Sequence, residues 1–204
     1  PEFLMFTLTG CVGMIGMNSA GVSVAINNLE GADGKPGVTW NFVVRKVLAQ
    51  DNIEDALKCI TEADLAGAHN YMLMDTSGRG YNVEAMSSVK HVQAITDTTY
   101  AHANICLSDE ARSVEREQTD EWLIDSQKRV ERASELLEEL RPITPDDLMT
   151  ITRDRTNDSY AICALPEAPH YWETSGAVVM RPHTKEFWAV WGLPIENEYQ
   201  RFTF

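Results

Sequence analysis

The stretch Gly10–Leu29, GCVGMIGMNSAGVSVAINNL, carries the clearest structural signal in the chain: a strand, a tight turn and a second strand. Its turn is Asn18-Ser19-Ala20-Gly21, since Asn and Gly tolerate the positive φ that a tight reversal needs. Residues 22–26 then alternate between branched apolar and small side chains, the period of a strand with two different faces. Asn27 and Asn28 end this strand. A strand-end amide can donate hydrogen bonds to an oxyanion, but composition alone favours the simpler interpretation that both residues begin a loop.

The bulk composition predicts one globular domain. The 204 residues are 44% hydrophobic and 24% charged, enough for a substantial core. We expect a single domain over residues 1–204 and set Pro1–Phe3 aside as a candidate cloning remnant. The formal net charge of −14 repels nucleic-acid phosphates and anionic membranes, so neither is an expected partner. No apolar run approaches the roughly 18 residues of a membrane span.

The cysteines and histidines indicate neither a metal site nor a cofactor. Cys11, Cys59, Cys106 and Cys163 are widely spaced, with no CxxC motif and no histidine pair nearby, and each lies among apolar residues. We therefore expect reduced thiols. Since the N-terminus as given shows no secretory signal, we also expect an intracellular protein of the cytoplasm.

Periodicity and end signals place the remaining elements. The predicted helices are Trp40–Gln50, Ile53–Ala63, Thr119–Leu140 and one that follows Thr144-Pro145 and ends near Arg153. The predicted strands form a meander, Tyr71–Met74, Tyr81–Ala85 and Val89–Ile95, and a hairpin, Trp172–Met180 and Glu186–Trp191. On the long helix, an apolar stripe from Trp122 to Leu140 contrasts with Glu and Arg residues that we interpret as a solvated face.

Polar residues within apolar segments are the candidates for chemistry. Glu84 interrupts a strand, and exposure on a sheet face is its simplest explanation. The segment YAHANICL, Tyr100–Leu107, holds His102, which we interpret as a hydrogen-bonded structural histidine. If this segment is a strand, alternation places Asn104 and Cys106 on one face, so that Cys106 borders any pocket at Asn104.

Several motifs resemble, in the right order, the isopenicillin N acyltransferase-like (acyl-CoA:6-aminopenicillanate acyltransferase) family of N-terminal-nucleophile (Ntn) hydrolases, which are relatives of the choloylglycine (bile salt) hydrolases. They are GxxGMNSAGVxVxxN ending at Asn27, HNYMLMDTSGRGYNVE ending at Glu84, YAHANICL, the Thr174-Ser175-Gly176-Ala177 segment and the closing GLPIENEYQRFTF. The resemblance covers essentially the whole chain. It implies an α+β fold, the four-layer αββα sandwich of two antiparallel sheets, incomplete at the N-terminal side. The order of predicted elements is compatible with that layering.

The resemblance also implies a set of site residues. Asn27 and Asn104 match oxyanion positions, and Thr174, a further catalytic candidate, matches a small hydroxyl residue of the family. The other pocket residues that we carry over are Asn70, Glu84, His102, Cys106 and Ser175. Four positions depart from the family pattern: Ala103 replaces Thr, Ile105 replaces His, Ala164 replaces Arg, and Ser175 stands where the penicillin enzyme has Arg.

The chemistry of the resembled family needs a cysteine freed by self-cleavage of a Gly-Cys bond, with its own α-amine as base. Gly10-Cys11 is such a bond, but it occupies a strand position of the family, so we interpret Cys11 as a core residue. We therefore expect the nucleophile to be absent from this chain. Three explanations stay open: a fragment, one chain of a pair whose partner carries the cysteine, or a non-catalytic relative.

The function that the resemblance implies is acyl transfer or hydrolysis at the amide of a small acylated amine, through a thioester, with an acyl-amine or acyl-thioester as substrate. The rival is a non-catalytic binding or assembly subunit of the same fold. Because the expected fold lacks its first strands, one sheet has an open edge. Open strand edges favour pairing with another chain, so we expect an oligomer or a requirement for the missing N-terminal segment.

Overall fold

The computed structural model describes residues 1–168 and 171–204, apart from the side chain of residue 158. Within these ranges the strands form two antiparallel sheets. The main sheet has six strands in chain order: β1 Phe3–Phe6, β2 Ile15–Asn18, β3 Ser23–Asn28, β4 His69–Met74, β5 Gly80–Ala85 and β6 Lys90–Ile95. The second sheet has three: β7 Gly176–Arg181, β8 Glu186–Trp191 and β9 Gln200–Phe202. The predicted meander and C-terminal hairpin are confirmed, although β7 begins four residues later than expected.

Five α-helices accompany the sheets in the described part of the chain: α1 Trp40–Val47, α2 Ile53–Thr61, α3 Asp109–Arg112, α4 Asp120–Glu139 and α5 Pro145–Ile151. The four predicted helices are among them, and their end signals are mostly those expected. Asn52 caps α2 by accepting from the Asp55 N–H at 2.9 Å. Thr39 does not cap α1 through its side chain, since its hydroxyl contacts the Asn41 Oδ1 atom instead. No described helix is long and apolar enough to cross a membrane.

The turn between β2 and β3 is fixed by its first and last residues. The Asn18 side-chain oxygen accepts from the Val22 N–H at 3.0 Å, and its amide donates to the carbonyls of Leu48 and Gln50. Gly21 has φ +86°, and a Cβ there would lie 2.1 Å from Cγ2 of Thr76. Asn18 therefore closes the turn and also ties it to the end of α1.

Helices α1 and α2 cover one face of the main sheet. Their buried residues, such as Val44 and Ile60, pack with Val24, Leu73 and Val83 of the sheet in one apolar core. Phe3 belongs to this folded structure, since it pairs with Asn18 in β1. Burial of this apolar surface is the main stabilising term for this half of the molecule.

The second sheet contacts the main sheet near β1 and β2. The rings of Phe6 and Trp191 lie 5.5 Å apart, and a Cβ at Gly176 would lie 2.5 Å from Cζ of Phe6. Helix α5, whose N-terminus carries a complete capping box of Thr144 and Asp147, packs on β7. Helices thus lie against both antiparallel sheets, which confirms the α+β class.

Two sequence expectations near β5 are wrong. Glu84 is not exposed on a sheet face: it is 1% exposed, on the face opposite α1 and α2. Tyr100–Leu107 is not a strand but part of an irregular loop between β6 and α3. Both differences have one cause, because this loop folds over the Glu84 carboxylate.

The Glu84 carboxylate accepts four hydrogen bonds from residues 102–108, a segment that we name the Asn104 loop. They come from the Leu107 N–H (2.5 Å), the Ser108 N–H (2.9 Å), the Ser108 hydroxyl (2.5 Å) and His102 Nε2 (2.9 Å). The other ring nitrogen of His102 lies 2.7 Å from the Ala103 carbonyl. His102 is therefore the hydrogen-bonded structural histidine that was expected.

These bonds determine the protonation of Glu84. Burial alone raises the pKa of a carboxyl group, but the donors from His102, Ser108 and Leu107 outweigh it and lower the pKa of Glu84 to about 2. The pKa in the folded state lies below the ordinary value of 4.5. The stabilisation that it contributes is therefore complete above about pH 4.5 and is lost as the pH falls toward 2.

We expect Glu84→Gln to lower the free energy of unfolding by about 3 kcal/mol, since an amide cannot accept all four bonds and leaves donors buried without partners. Chemical denaturation of the wild type and the variant at several pH values measures this. The difference should shrink as the pH falls from 4.5 to 2. The surface substitution Glu117→Gln serves as the matched control with little effect. An equal stability for Glu84→Gln at neutral pH would contradict the anchoring role.

Candidate active site

A cavity of about 410 Å³ opens beside the Asn104 loop. The loop forms one side, α4 another and the segment that precedes β7 the third. The residues that line it are Asn104, Trp122, Asp125, Arg129, Ile162, Ala164, Trp172, Glu173 and Thr174. Two of the residues predicted from the sequence, Asn104 and Thr174, therefore share one cavity.

Asn104 is held at both ends of its side-chain amide. The Nδ2 atom donates to the Asn28 carbonyl at 3.1 Å, and the Oδ1 atom accepts from Arg129 Nη2 at 3.1 Å. The Asn104 carbonyl accepts from the indole N–H of Trp122 at 3.1 Å. An amide nitrogen has two N–H groups, so Asn104 retains one donor beyond the bond to Asn28. The two partners of its side chain fix the orientation of the amide, and Asn104 is one of the residues that line the cavity.

Arg129 and Asp125 of α4 line the cavity. This corrects the sequence-based prediction that the charged residues of this helix form a solvated face. Asp125 is 2% exposed and accepts from Arg129 Nη2 at 2.6 Å and from Nε at 3.0 Å. Ser126 is also buried and lies 3.4 Å from Arg129 Nη2. The sequence spacing indicates this burial. Residues 125 and 126 follow Trp122 by three and four positions, so they lie on the same side of the helix as Trp122 and Val130 of the apolar stripe.

Aromatic and small residues complete the cavity. The Trp122 and Trp172 rings meet edge to face with centroids 5.7 Å apart. The Thr174 hydroxyl accepts from the Ala164 N–H at 3.0 Å, and the Thr174 N–H donates to the Ala164 carbonyl. Ser175 is exposed next to Thr174, and it is not among the residues that line the cavity.

Asn27 lies outside the lining of the cavity but is connected to it. Its side-chain oxygen accepts from Asn70 Nδ2 at 3.4 Å, and the next residue, Asn28, receives the Asn104 amide bond. Asn70 is fully buried and partly exposed Asn27 pairs with it in the register of β3 and β4. Asn70 Oδ1 is buried with no hydrogen-bond partner in residues 1–168 and 171–204. The structure thus brings Asn27 and Asn70 together beside the site rather than within it.

Cys106 lies away from the cavity. It is 1% exposed, packs among Leu29, Met86 and Ala111, and its sulfur is 3.9 Å from that of Met86. Burial first, and then the charges of Glu115 and Glu84, raise its pKa well above the ordinary value. Strand alternation does not apply here because the segment is a loop. Cys106 is therefore a core residue and not a wall of the cavity that holds Asn104.

The remaining thiols offer no activated nucleophile at this cavity. Burial raises the pKa of both Cys59 and Cys163. Cys11 lies in the turn after β1, where its thiol donates to the Gly13 carbonyl at 3.1 Å. No cluster of three or more His, Cys, Asp or Glu side chains among the described residues could hold a metal ion. What the cavity supplies is a fixed amide donor and a paired guanidinium beside an apolar surface.

Solved structures of two known enzymes share this arrangement of sheets and helices. One is a variant of conjugated bile acid hydrolase from Clostridium perfringens, with a TM-score of 0.57 and 11% identity over 93% of this chain and 76% of that chain. The other is penicillin V acylase from Agrobacterium tumefaciens, with a TM-score of 0.54 and 15% identity over 88% of this chain and 63% of that chain. Identities this low show the fold alone, which is the Ntn-hydrolase fold.

Comparison with known sequences gives the family. No curated protein matches this sequence. The family described as acyl-coenzyme A:6-aminopenicillanic acid acyl-transferase matches residues 1–196 of the 204. That match covers the main sheet, both Asn-bearing motifs and the cavity. The chain therefore belongs to the acyl-coenzyme A:6-aminopenicillanic acid acyl-transferase family, with the Ntn-hydrolase fold.

Proposed function

We propose that the chain acts in acyl transfer or hydrolysis at the amide C–N bond of a small acylated amine, through an acyl-enzyme. The observation that carries the proposal is the Asn104 amide, held from both ends at the cavity wall with one N–H left to donate. A donor that is fixed before reaction can stabilise a developing oxyanion without reorganisation, which is the strongest single effect in many acyl-transfer sites.

In the proposed mechanism, residues of the chain stabilise the oxyanion and contact the apolar part of the substrate. A thiolate adds to the substrate carbonyl, and the oxyanion that forms accepts a hydrogen bond from Asn104 Nδ2. The C–N bond then breaks, and the leaving amine takes the proton that the α-amine of the nucleophilic cysteine had removed from its thiol, so that a thioester is left. Water or another amine takes the acyl group. The Trp122 and Trp172 rings and Ile162 offer apolar surface to part of the substrate.

The thiolate in this proposal is not one of the four cysteines of the chain. A nucleophilic thiol needs a lowered pKa, access and a base within hydrogen-bond reach. Cys59, Cys106 and Cys163 are buried, and their pKa values are raised. The Cys11 thiol donates a hydrogen bond to the Gly13 carbonyl in the turn after β1. We propose that the nucleophile is supplied by a Gly-Cys segment that lies outside these 204 residues or on a second chain.

We expect the 204-residue chain to show no covalent labelling by an acyl thioester or a β-lactone in the folded state. Intact-mass spectrometry after incubation with each reagent measures this, and the unfolded chain, whose four thiols are accessible, is the positive control. Turnover of an acyl substrate that is abolished by Cys11→Ala or Cys106→Ala would contradict the proposed external nucleophile.

We expect addition of a Gly-Cys segment, fused or as a separate chain, to restore processing and turnover. In the restored protein, Asn104→Ala should lower kcat by roughly 10²- to 10³-fold, the usual effect of one oxyanion donor. Asn41→Ala, an asparagine in α1 remote from the cavity, is the matched control, and thermal unfolding verifies that both variants fold. A restored protein with unchanged kcat in Asn104→Ala would refute the role of this amide. A complemented protein without activity would instead favour the non-catalytic subunit.

We propose that the isolated chain also self-associates through open strand edges. β1 and β6 end the main sheet, and β7 and β9 end the second sheet; Phe202 of β9 and Trp191 of the adjacent β8 are 43% and 64% exposed. Open edges with apolar side chains favour pairing with a second copy.

Light scattering should therefore give a mass of a dimer or more, and Phe202→Lys should shift it toward the monomer because it removes exposed apolar surface from the edge strand. The control Gln200→Lys adds the same charge on the same strand without removing apolar surface. A strictly monomeric wild-type chain would contradict this proposal.

A further inference from the structure

A second cavity, of about 300 Å³, lies on the face of the main sheet opposite α1 and α2, next to β6. It shares no lining residue with the cavity at Asn104. Its floor is Asn82 of β5, and its walls include Tyr100, His91 and the first residues of α3. The volume is at the lower end of the range for small-molecule sites. Any occupant is therefore a small molecule.

Asn82 has a hydrogen-bonding capacity that the described residues do not satisfy. Its Nδ2 atom donates to the Tyr100 hydroxyl at 3.2 Å, which fixes the orientation of the amide. The residue is 1% exposed, and its Oδ1 atom is buried without a partner in residues 1–168 and 171–204. A buried acceptor without a donor costs about 1–3 kcal/mol. The floor of the cavity therefore favours a ligand that donates an N–H or O–H.

The charges around the cavity favour a cation. Three carboxylates line it, those of Glu84, Asp109 and Glu110, and no Lys or Arg is among its described lining residues. Glu84 has its hydrogen bonds made by the Asn104 loop. Asp109 and Glu110 are exposed at the rim; Glu110 lies 3.3 Å from His91 Nδ1, and Asp109 lies 3.5 Å from Arg112 Nη1, which is outside the lining. The formal charge of the chain, −14, acts in the same direction.

We propose that this cavity binds a small primary ammonium ion, which donates an N–H to Asn82 Oδ1 and places its charge beside the carboxylates of Asp109 and Glu110. An ammonium group has three donors and no acceptor, so it complements the unsatisfied oxygen on the floor and the carboxylates at the rim. The short alkyl chain of such an amine fits the limited volume. The proposal does not depend on the acyl-transfer chemistry at Asn104.

Titration of the ¹⁵N-labelled chain with n-butylammonium chloride, followed by two-dimensional NMR, tests the site. We expect saturable shifts of the Asn82 side-chain amide and of the Leu107 and Ser108 backbone amides. Sodium chloride at equal ionic strength and n-butanol are the controls. The first lacks the N–H donors and the second lacks the charge, so neither should give saturation over the same concentrations. No saturable shift with butylammonium, or an equal response to butanol, would overturn the proposal.

Two variants test the assignment of the groups. Asn82→Leu keeps the side-chain volume but removes the acceptor, and it should weaken butylammonium binding roughly tenfold or more. Ser87→Ala removes another buried polar group that has no partner in residues 1–168 and 171–204, outside this cavity, and it should leave the affinity unchanged. Equal binding by Asn82→Leu and the wild type would refute the role of the floor.

A surface substitution covers the case in which a buried variant does not fold. Glu110→Gln at the exposed rim should weaken butylammonium binding several-fold, because it removes one negative charge from the cavity. Glu139→Gln, with the same change of net charge at the end of α4, should not change the affinity. Equal affinities for Glu110→Gln and Glu139→Gln would show that the rim charge has no part in binding and would overturn the proposal.

Discussion

The Glu84 carboxylate accepts four hydrogen bonds from the seven residues of the Asn104 loop, and this single buried charge determines where the loop can lie. An isolated carboxylate on a sheet interior is too costly to bury. The loop removes that cost by donating from His102 at one end and from Leu107 and Ser108 at the other. Asn104 lies between these two attachment points, so its position is a consequence of satisfying a charge on β5. The loop also separates the two cavities, since Ser108 lines one and Asn104 lines the other.

A second buried charge completes the positioning of Asn104 from the opposite side. The loop places the backbone of Asn104, but its side-chain amide is oriented by the Asn28 carbonyl and by Arg129. Arg129 is in turn held by Asp125, one turn earlier on α4, in a pair with favourable i,i+4 spacing. The guanidinium can therefore hold the amide oxygen without leaving an unpaired charge at the cavity. Groups with fixed partners of this kind are what a preorganised site requires.

Local signals in the sequence predict much of the fold, and non-local partners explain what they miss. The turn at Asn18 and Gly21, the caps at Asn52 and Thr144 and the meander depend on residues close in sequence. Glu84 is different: its donors come 18 to 24 residues later, and no local pattern reveals them. The strand expected at Tyr100–Leu107 fails for the same reason, since the N–H groups of Cys106 and Leu107 donate to the side chains of Glu115 and Glu84 instead of to a neighbouring strand. At the cavity, the family motifs identify Asn104 and Thr174. Arg129 has the sequence context of an exposed charged residue on a helix, and only its bonds to Asn104 and Asp125 show that it belongs to the cavity.

The register of the main sheet explains why sites lie on one of its faces. Asn27, Asn70, Glu84 and His91 stand opposite one another across β3, β4, β5 and β6, so one row of the sheet is polar across four strands. The other face, with Val24, Leu73 and Val83, is apolar and covered by helices. If an apolar layer packed on the polar row, the amides and the carboxylate of the row would be buried without partners, and each such group would lower the free energy of unfolding. The second sheet contacts the main sheet near β1 and β2, where the side chains are apolar. A loop rich in donors covers the polar row, and both cavities open beside that loop, where polar groups retain capacity for a ligand.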